Sequence, residues 1–326
     1  MFKFKKYACQ GIMAVAVTAF ALSGFGIMAK AEFPDKPIEF IIPFGAGGSA
    51  DIEGRLLADL MGKILGVSIV PVNKTGGGGA VTYSHVKNSN PDGYTVGWNS
   101  TSILTSSSIG NMDFDHSALD HLGQVEYQPM PLYVKAGSKF QSLKDFVDAC
   151  KAAPGTLKIA NSGAGSATHI AAIAIENAID CEVIHLPVGI KRRNATVLSG
   201  EADAGVGPLS ITNKLTRAKK LHMLAIPSSQ RNDFAPDLPT MKELGYDAEI
   251  DLFRGLSVAK GTPKAIMDKL SGAMAAAAKS PTFMAFAKKS GFTVHPLSID
   301  EFNMRLKKEG ALVDGVMKKA GIYKSK

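Results

Sequence analysis

The chain has 326 residues, 45% of them hydrophobic and 20% charged, with a formal net charge of +8. That is enough for two ordinary globular domains, and it excludes a disordered or coiled-coil chain. The basic excess forms no stripe: Lys191-Arg192-Arg193 and Lys219-Lys220 are short and isolated, so no nucleic-acid partner is expected.

Lys3, Lys5 and Lys6 precede an almost wholly apolar run over residues 11–28, and Ala29-Lys30-Ala31 has the form of an A-x-A cleavage site. Residues 1–31 therefore read as a secretory signal peptide cut after Ala31, with Gly24 and Gly26 favouring cleavage over a membrane anchor. Its four lysines leave with it, and the exported chain carries a milder +4. No later segment is long and apolar enough to span a bilayer.

Residues 38–42 read as a buried strand that runs into Pro43-Phe44-Gly45-Ala46-Gly47-Gly48-Ser49-Ala50-Asp51 and then a helix over 52–64. A glycine turn before a helix presents free N–H groups and a partial positive charge, an anion cradle without a basic side chain. Residues 68–72 form the next strand, followed by a second glycine-rich turn over 73–80 and a helix over 81–88. Pro91-Asp92-Gly93-Tyr94 is a turn feeding a strand over 95–98, and Ser100 follows it, where an open α/β sheet presents its ligand crevice. Residues 110–123 read as a polar loop. Its Asp113, Asp115, His116, Asp120 and His121 have no frame for a metal.

A strand over 132–135 and a helix over 143–152 lead to a second cradle with the same order: strand, Asn161-Ser162-Gly163-Ala164-Gly165-Ser166-Ala167-Thr168-His169, then an apolar helix to residue 179. Two such cradles far apart in one chain imply two lobes holding one anion between them. Further strands are expected over 182–186, 202–206, 221–226 and 255–259, and helices over 194–200, 264–278 and 301–319, with Thr262-Pro263 capping the middle one. The βα alternation on both sides of the second cradle makes each lobe doubly wound. Cys150 and Cys181 both lie at the end of the second sheet away from its glycine turn. They can bridge in an exported protein or stay as buried thiols.

Gly45-Ala-Gly47-Gly-Ser-Ala50 matches a dinucleotide fingerprint weakly, but the second strand ends in Asn73-Lys74 where an acid is wanted. There is no P-loop, nucleophile elbow, close carboxylate pair or metal spacing, so neither an enzyme nor a cofactor is expected. Asp51 is read as ordering the first cradle and His169 as an N–H donor to a carboxylate. Arg192 and Arg193 are candidate bidentate partners for a carboxylate, with Arg192 taken into the site. A solvated helix start is the other reading of both.

Phe33-Pro34-Asp35-Lys36-Pro37-Ile38, Pro43-Phe-x-x-Gly-Gly-x-x-Asp51, Asn73-Lys-x-Gly-x-Gly-Gly79, Pro91-Asp-Gly-Tyr-Thr95, Ser162-Gly-x-Gly-Ser-x-x-His169 and Gly255…Gly261-Thr-Pro263 together resemble the solute-binding proteins of tripartite tricarboxylate transporters, the TctC or Bug family. The resemblance covers the mature chain in order. It implies a type II periplasmic binding protein with a cleft between two doubly wound lobes, here residues 32–134 plus 254–326, and 135–253. It implies a small organic carboxylate (a di-, tri- or aromatic acid) held by both loops, and delivery by a monomer to membrane permease subunits. A subunit signalling to a membrane histidine kinase is the alternative. The implied site is Phe44, Gly45, Ala46, Gly47, Gly48, Ser49, Asp51 and Ser100 on one side, and Asn161, Ser162, Gly163, Gly165, Ser166, Thr168, His169 and Arg192 on the other. The chain departs from the family at Pro187-Val188-Gly189-Ile190-Lys191-Arg192-Arg193, where relatives carry a Pro-Tyr-Lys-Gly-like stretch, and at Phe253-Arg254, where they carry a tryptophan.

Overall fold

The structure is a computed structural model and describes residues 32–324. The expected signal peptide and its cleavage point lie outside the described residues.

In β1 (Ile38–Ile42), Ile38, Phe40, Ile41 and Ile42 are fully buried. A strand this apolar belongs inside a parallel arrangement covered on both faces. β2 (Ile69–Asn73) and β3 (Thr95–Ser100) flank it in parallel, with crossovers through α1 (Ser49–Leu65) and α2 (Ala80–Lys87). After α3 (Ser102–Ser108) comes β4 (Leu119–Pro129), a long strand that takes over residues 119–123 of the polar loop expected over 110–123, while 110–118 stay outside the strand. Its polar residues face inward and have partners. His121 Nδ1 lies 2.7 Å from Ser257 Oγ, and Gln124 Oε1 accepts from Arg305 at 2.6 Å.

The chain then builds a second sheet. β5 (Leu132–Lys135), α4 (Leu143–Ala152), β6 (Lys158–Asn161), α5 (Ala167–Ile179), β7 (Ile184–Pro187), α6 (Ile190–Ser199), β8 (Ala204–Val206), α7 (Leu209–Arg217) and β9 (Leu221–Ala225) follow in turn. The strand order is β7-β6-β8-β5-β9, with β6 parallel to both neighbours and β5 antiparallel to both of its own. β10 (Asp251–Ala259) returns to the first sheet, antiparallel between β3 and β4. α8 (Lys264–Ala278), α9 (Pro281–Ser290), β11 (Thr293–Leu297) and α10 (Ile299–Lys319) complete an order of β11-β4-β10-β3-β1-β2. The fold is two α/β lobes with mixed sheets. The crossing falls between Pro129 and Leu132 rather than after residue 134, because β5 pairs with β8 and β9, and the return falls at Asp251 rather than 254.

One core packs Phe146, Ile159, Ile175, Val206 and Leu224 inside the second lobe. Another joins Ile103, Leu104, Phe253, Phe302 and Leu306 with Ile170 and Ile173 of α5, so α5 crosses the seam to pack on first-lobe side chains. Local signals mostly hold: Ser142 and Asp145 form a reciprocal capping box at α4, as Ser298 and Glu301 do at α10. Thr262 is an exception, because its hydroxyl donates to the Ala259 carbonyl at 2.8 Å and leaves α8 without a side-chain cap.

Cys150 and Cys181 are joined in a disulfide with a Cα separation of 6.2 Å, tying the end of α4 to the segment after α5. The bridge closes a 31-residue separation. Replacing both cysteines by serine is expected to lower unfolding free energy by about 3–4 kcal/mol, mostly through the unfolded chain's regained freedom. Guanidinium denaturation of the variant, and of the parent with and without reductant, measures this.

Candidate functional site

Both glycine turns sit at the carboxyl ends of central strands, β1 and β6, where α/β sheets open their ligand crevice. They share a construction. Gly47, at φ +82°, donates its N–H to Asp51 Oδ2 at 3.0 Å. Gly165, at φ +75°, donates its N–H to His169 Nδ1 at 3.2 Å. In each turn a left-handed glycine is closed by a side chain four residues on, inside the first helical turn. The closure leaves the N–H groups of Ser49 and Ala50, and of Ala167 and Thr168, without a backbone acceptor among the described residues.

Burial works against the Asp51 charge. The Gly47 N–H, the Asn73 amide at 2.9 Å and Arg55 at 2.7 Å outweigh it and hold the carboxyl below its ordinary range. His169 is pushed down to about 4, first by burial and then by the facing His185 ring at 5.2 Å, with Glu176 opposing. Its Nδ1 accepts from the loop, which gives the ring a positioning role there and, in the neutral form, leaves the N–H on Nε2.

Between the two turns lies a cavity of about 210 Å³. Phe44, Ala46, Gly47, Gly48, Ser49, Ser162, Ser166 and Thr168 line it, as expected from sequence. Gly45, Asp51, Gly163, Gly165 and His169 shape the turns behind it. Asn161 is buried and accepts from the Gly163 N–H at 3.0 Å, while Ser100 is buried against Ser102 at 2.6 Å. Neither lines the cavity.

The arginine assignment moves by one residue. Arg192 is largely exposed and pairs loosely with Glu201 at 3.4 Å. Arg193 is 3% exposed, lines the cavity, and donates Nη1 to Ser162 Oγ at 2.5 Å and Nε to Tyr133 Oη at 3.3 Å. A helix expected only from residue 194 left both arginines outside it. α6 begins at Ile190, and Arg193, Thr196 and Val197 then share one buried face. Gly207 keeps the space open: a Cβ there would come within 2.9 Å of Arg193 Cζ.

Arg254 was also missed as a site residue. It is 2% exposed on β10, lines the cavity, and donates Nη2 to Ser49 Oγ at 2.7 Å. Its Nε lies 2.6 Å from Glu53 and 3.1 Å from Glu126. Burial, and then the Glu53 carboxylate, push Glu126 well above the carboxylate range. Glu53 also accepts from Ser210 Oγ of the second lobe at 3.1 Å. Ile190, Lys191, Asn194, Pro208, Ile211 and Leu252 complete the wall with Ala50 and Ala167, and no acidic residue lines it. No group of three or more His, Cys, Asp or Glu side chains among the described residues could hold a metal.

A family model described as a tripartite tricarboxylate transporter family receptor matches residues 54–321. The chain belongs to that family. BugT of Bordetella pertussis is 30% identical over 72% of this chain and 74% of its own. The periplasmic binding protein BugD superposes with a TM-score of 0.84 at 27% identity, covering 90% of this chain and all of its own. MatC of Rhodopseudomonas palustris, solved with bound malate, shares the fold with a TM-score of 0.81 at 21% identity, over 87% of this chain and 99% of its own. The family consists of substrate-binding proteins and not enzymes.

Because the unfolded chain protonates His169 near 6.5 and the folded chain only near 4, stability declines as pH falls through that interval and is intact above it. His169→Gln keeps an acceptor for the Gly165 N–H without the titration. Its stability is expected to change less than the parent's between pH 7 and 4.5, as read from urea midpoints at several pH values.

Proposed function

We propose that this chain is a periplasmic receptor that closes its two lobes on a small organic carboxylate and delivers it to the membrane subunits of a tripartite tricarboxylate-type transporter. The reading rests on one observation above others: the cavity between the two helix starts is lined by Arg193, Arg254 and Lys191 and by no acidic side chain. Helix N-termini and cationic side chains both favour an anion. Family membership and the malate seen in MatC support the same class. At about 210 Å³ the cavity is smaller than pockets for drug-sized ligands, roughly 300–1,000 Å³, which favours an acid of a few carbons. Apolar Phe44, Ile190, Ile211 and Leu252 suit the carbon chain between polar ends.

A thermal-shift panel of mono-, di-, tri- and aromatic carboxylates, followed by calorimetry, tests the reading, since a ligand of the folded state raises its melting temperature. Arg193→Met is expected to weaken the best acid by about 10- to 100-fold, the worth of a charge-assisted hydrogen bond of roughly 1.5–3 kcal/mol, and Arg192→Met to leave affinity unchanged. No shift with any acid at 10 mM on ligand-free refolded protein would count against a carboxylate receptor.

A further inference from the structure

The hydroxyl of Ser49 has one proton to donate and lone pairs to accept with. Arg254 can only donate, and its Nη2 does so into Ser49 Oγ at 2.7 Å. The Ser49 proton must therefore point elsewhere. Among the described residues no acceptor receives it, and Ser49 lines the cavity. Arg254 itself is withheld from the cavity's contents. Nη2 is engaged with Ser49, Nε sits against Glu53 and Glu126, Nη1 is buried, and the guanidinium lies 5.9 Å from the Trp98 ring. A planar fork between two buried carboxylates has little freedom to turn.

The second lobe repeats the device. Arg193 Nη1 donates to Ser162 Oγ at 2.5 Å, and the Ser162 proton likewise has no acceptor among the described residues. Ser162 also lines the cavity. A hydroxyl that accepts from a cation is polarised and donates more strongly in turn.

We propose that Arg254 is a positioning residue acting through Ser49, and that with the Arg193–Ser162 pair opposite it turns one serine O–H into the cavity from each wall. This rests on the carboxylate reading above and deepens it. The site favours ionised ends: each directed serine O–H is met best by a carboxylate or similar oxoanion and less well by the weaker, neutral oxygen of a primary amide. A serine free to rotate would point its proton elsewhere, and the arginine holds it toward the cavity.

The test compares succinate, malate and adipate with their monoamides by calorimetry on the parent, Ser49→Ala, Arg254→Lys and the double variant. The parent is expected to prefer acid over monoamide by about tenfold or more, because a serine O–H held toward the cavity bonds an ionised carboxylate more strongly than a neutral amide oxygen. Arg254→Lys keeps the charge but lacks the fork needed to reach Ser49 and both glutamates, so the preference should shrink toward unity. A merely structural loss would weaken acid and amide alike and leave the ratio in place. The double variant should bind acid no worse than the weaker single one. Multiplying losses, or an unchanged ratio in Arg254→Lys, would overturn the proposal. Should the lysine variant fail to fold, Ser49→Ala, which retains Arg254 and both glutamates, carries the test alone: the ratio falls, or the proposal is wrong. If no acid binds the parent, the carboxylate receptor reading itself fails, which is a different result from binding without discrimination.

Discussion

The hydrogen bond from a left-handed glycine to a side chain four residues further on is the contact around which this site is built. It occurs at Gly47 to Asp51 and again at Gly165 to His169. Each ties the glycine turn to the first turn of the helix that follows, so that the free N–H groups of that helix face the opening. A turn without this tie would trade its order for chain entropy at about 1–2 kcal/mol per residue. The acceptor differs between the lobes for an electrostatic reason. Asp51 has Arg55 and Asn73 to offset its charge, whereas His169 is buried beside another imidazole and closes its loop as a neutral ring. Neither adds an uncompensated negative charge to the anion cavity.

Arg254 shows the complementary constraint. Placing one guanidinium and two carboxylates at 0–3% exposure is a poor way to gain stability, since the desolvation of buried ions commonly exceeds their attraction. The cluster keeps buried atoms without a hydrogen bond as well, at Arg254 Nη1 and Glu126 Oε2. Burial of this kind points to a function for the group. Here the group touches a cavity serine on one side and, through Glu53 and Gln128, the start of α7 in the other lobe. The raised Glu126 fits the same picture, because burial and the Glu53 carboxylate both disfavour a second negative charge beside Arg254.

What the sequence disclosed follows the physics of each residue. Glycine turns after apolar strands are legible because backbone freedom and N–H supply depend on residue type alone. Both cradles stand where Pro43 to Asp51 and Asn161 to His169 placed them. The misses share a cause. The start of β4 was placed in a loop because Asp120 and His121 are polar, and a chain cannot show that their partners Lys260 and Ser257 come from a turn and a strand far along it. Arg192 was preferred to Arg193 because adjacent residues on a helix face different ways and the start of α6 was misplaced by four residues. Arg254 sits mid-strand, and nothing local distinguishes a buried arginine from one at a sheet edge.

The seam between the lobes explains how such a site can also let go. Gly78 meets Gly165 so closely that a Cβ on Gly78 would lie 2.7 Å from the Gly165 carbonyl carbon, and a Cβ on Gly48 would lie 2.8 Å from Ile190 Cγ2. The polar contacts across it include Thr105 and Ser106 to the Gly165 carbonyl, Asn111 to Ala164 at 3.4 Å and Ser210 to Gln128 at 3.1 Å, all neutral, beside Ser210 to the Glu53 carboxylate at 3.1 Å and Lys319 to the Asn177 carbonyl at 3.4 Å. Neutral hydrogen bonds contribute about 0.5–1.5 kcal/mol each when water is the alternative partner. The seam is thus tight in shape but modest in strength, apart from the apolar packing of α5 on first-lobe side chains. A receptor needs that combination. On the receptor reading proposed above, a seam of this kind leaves a bound anion of ordinary affinity able to decide whether a closed arrangement persists.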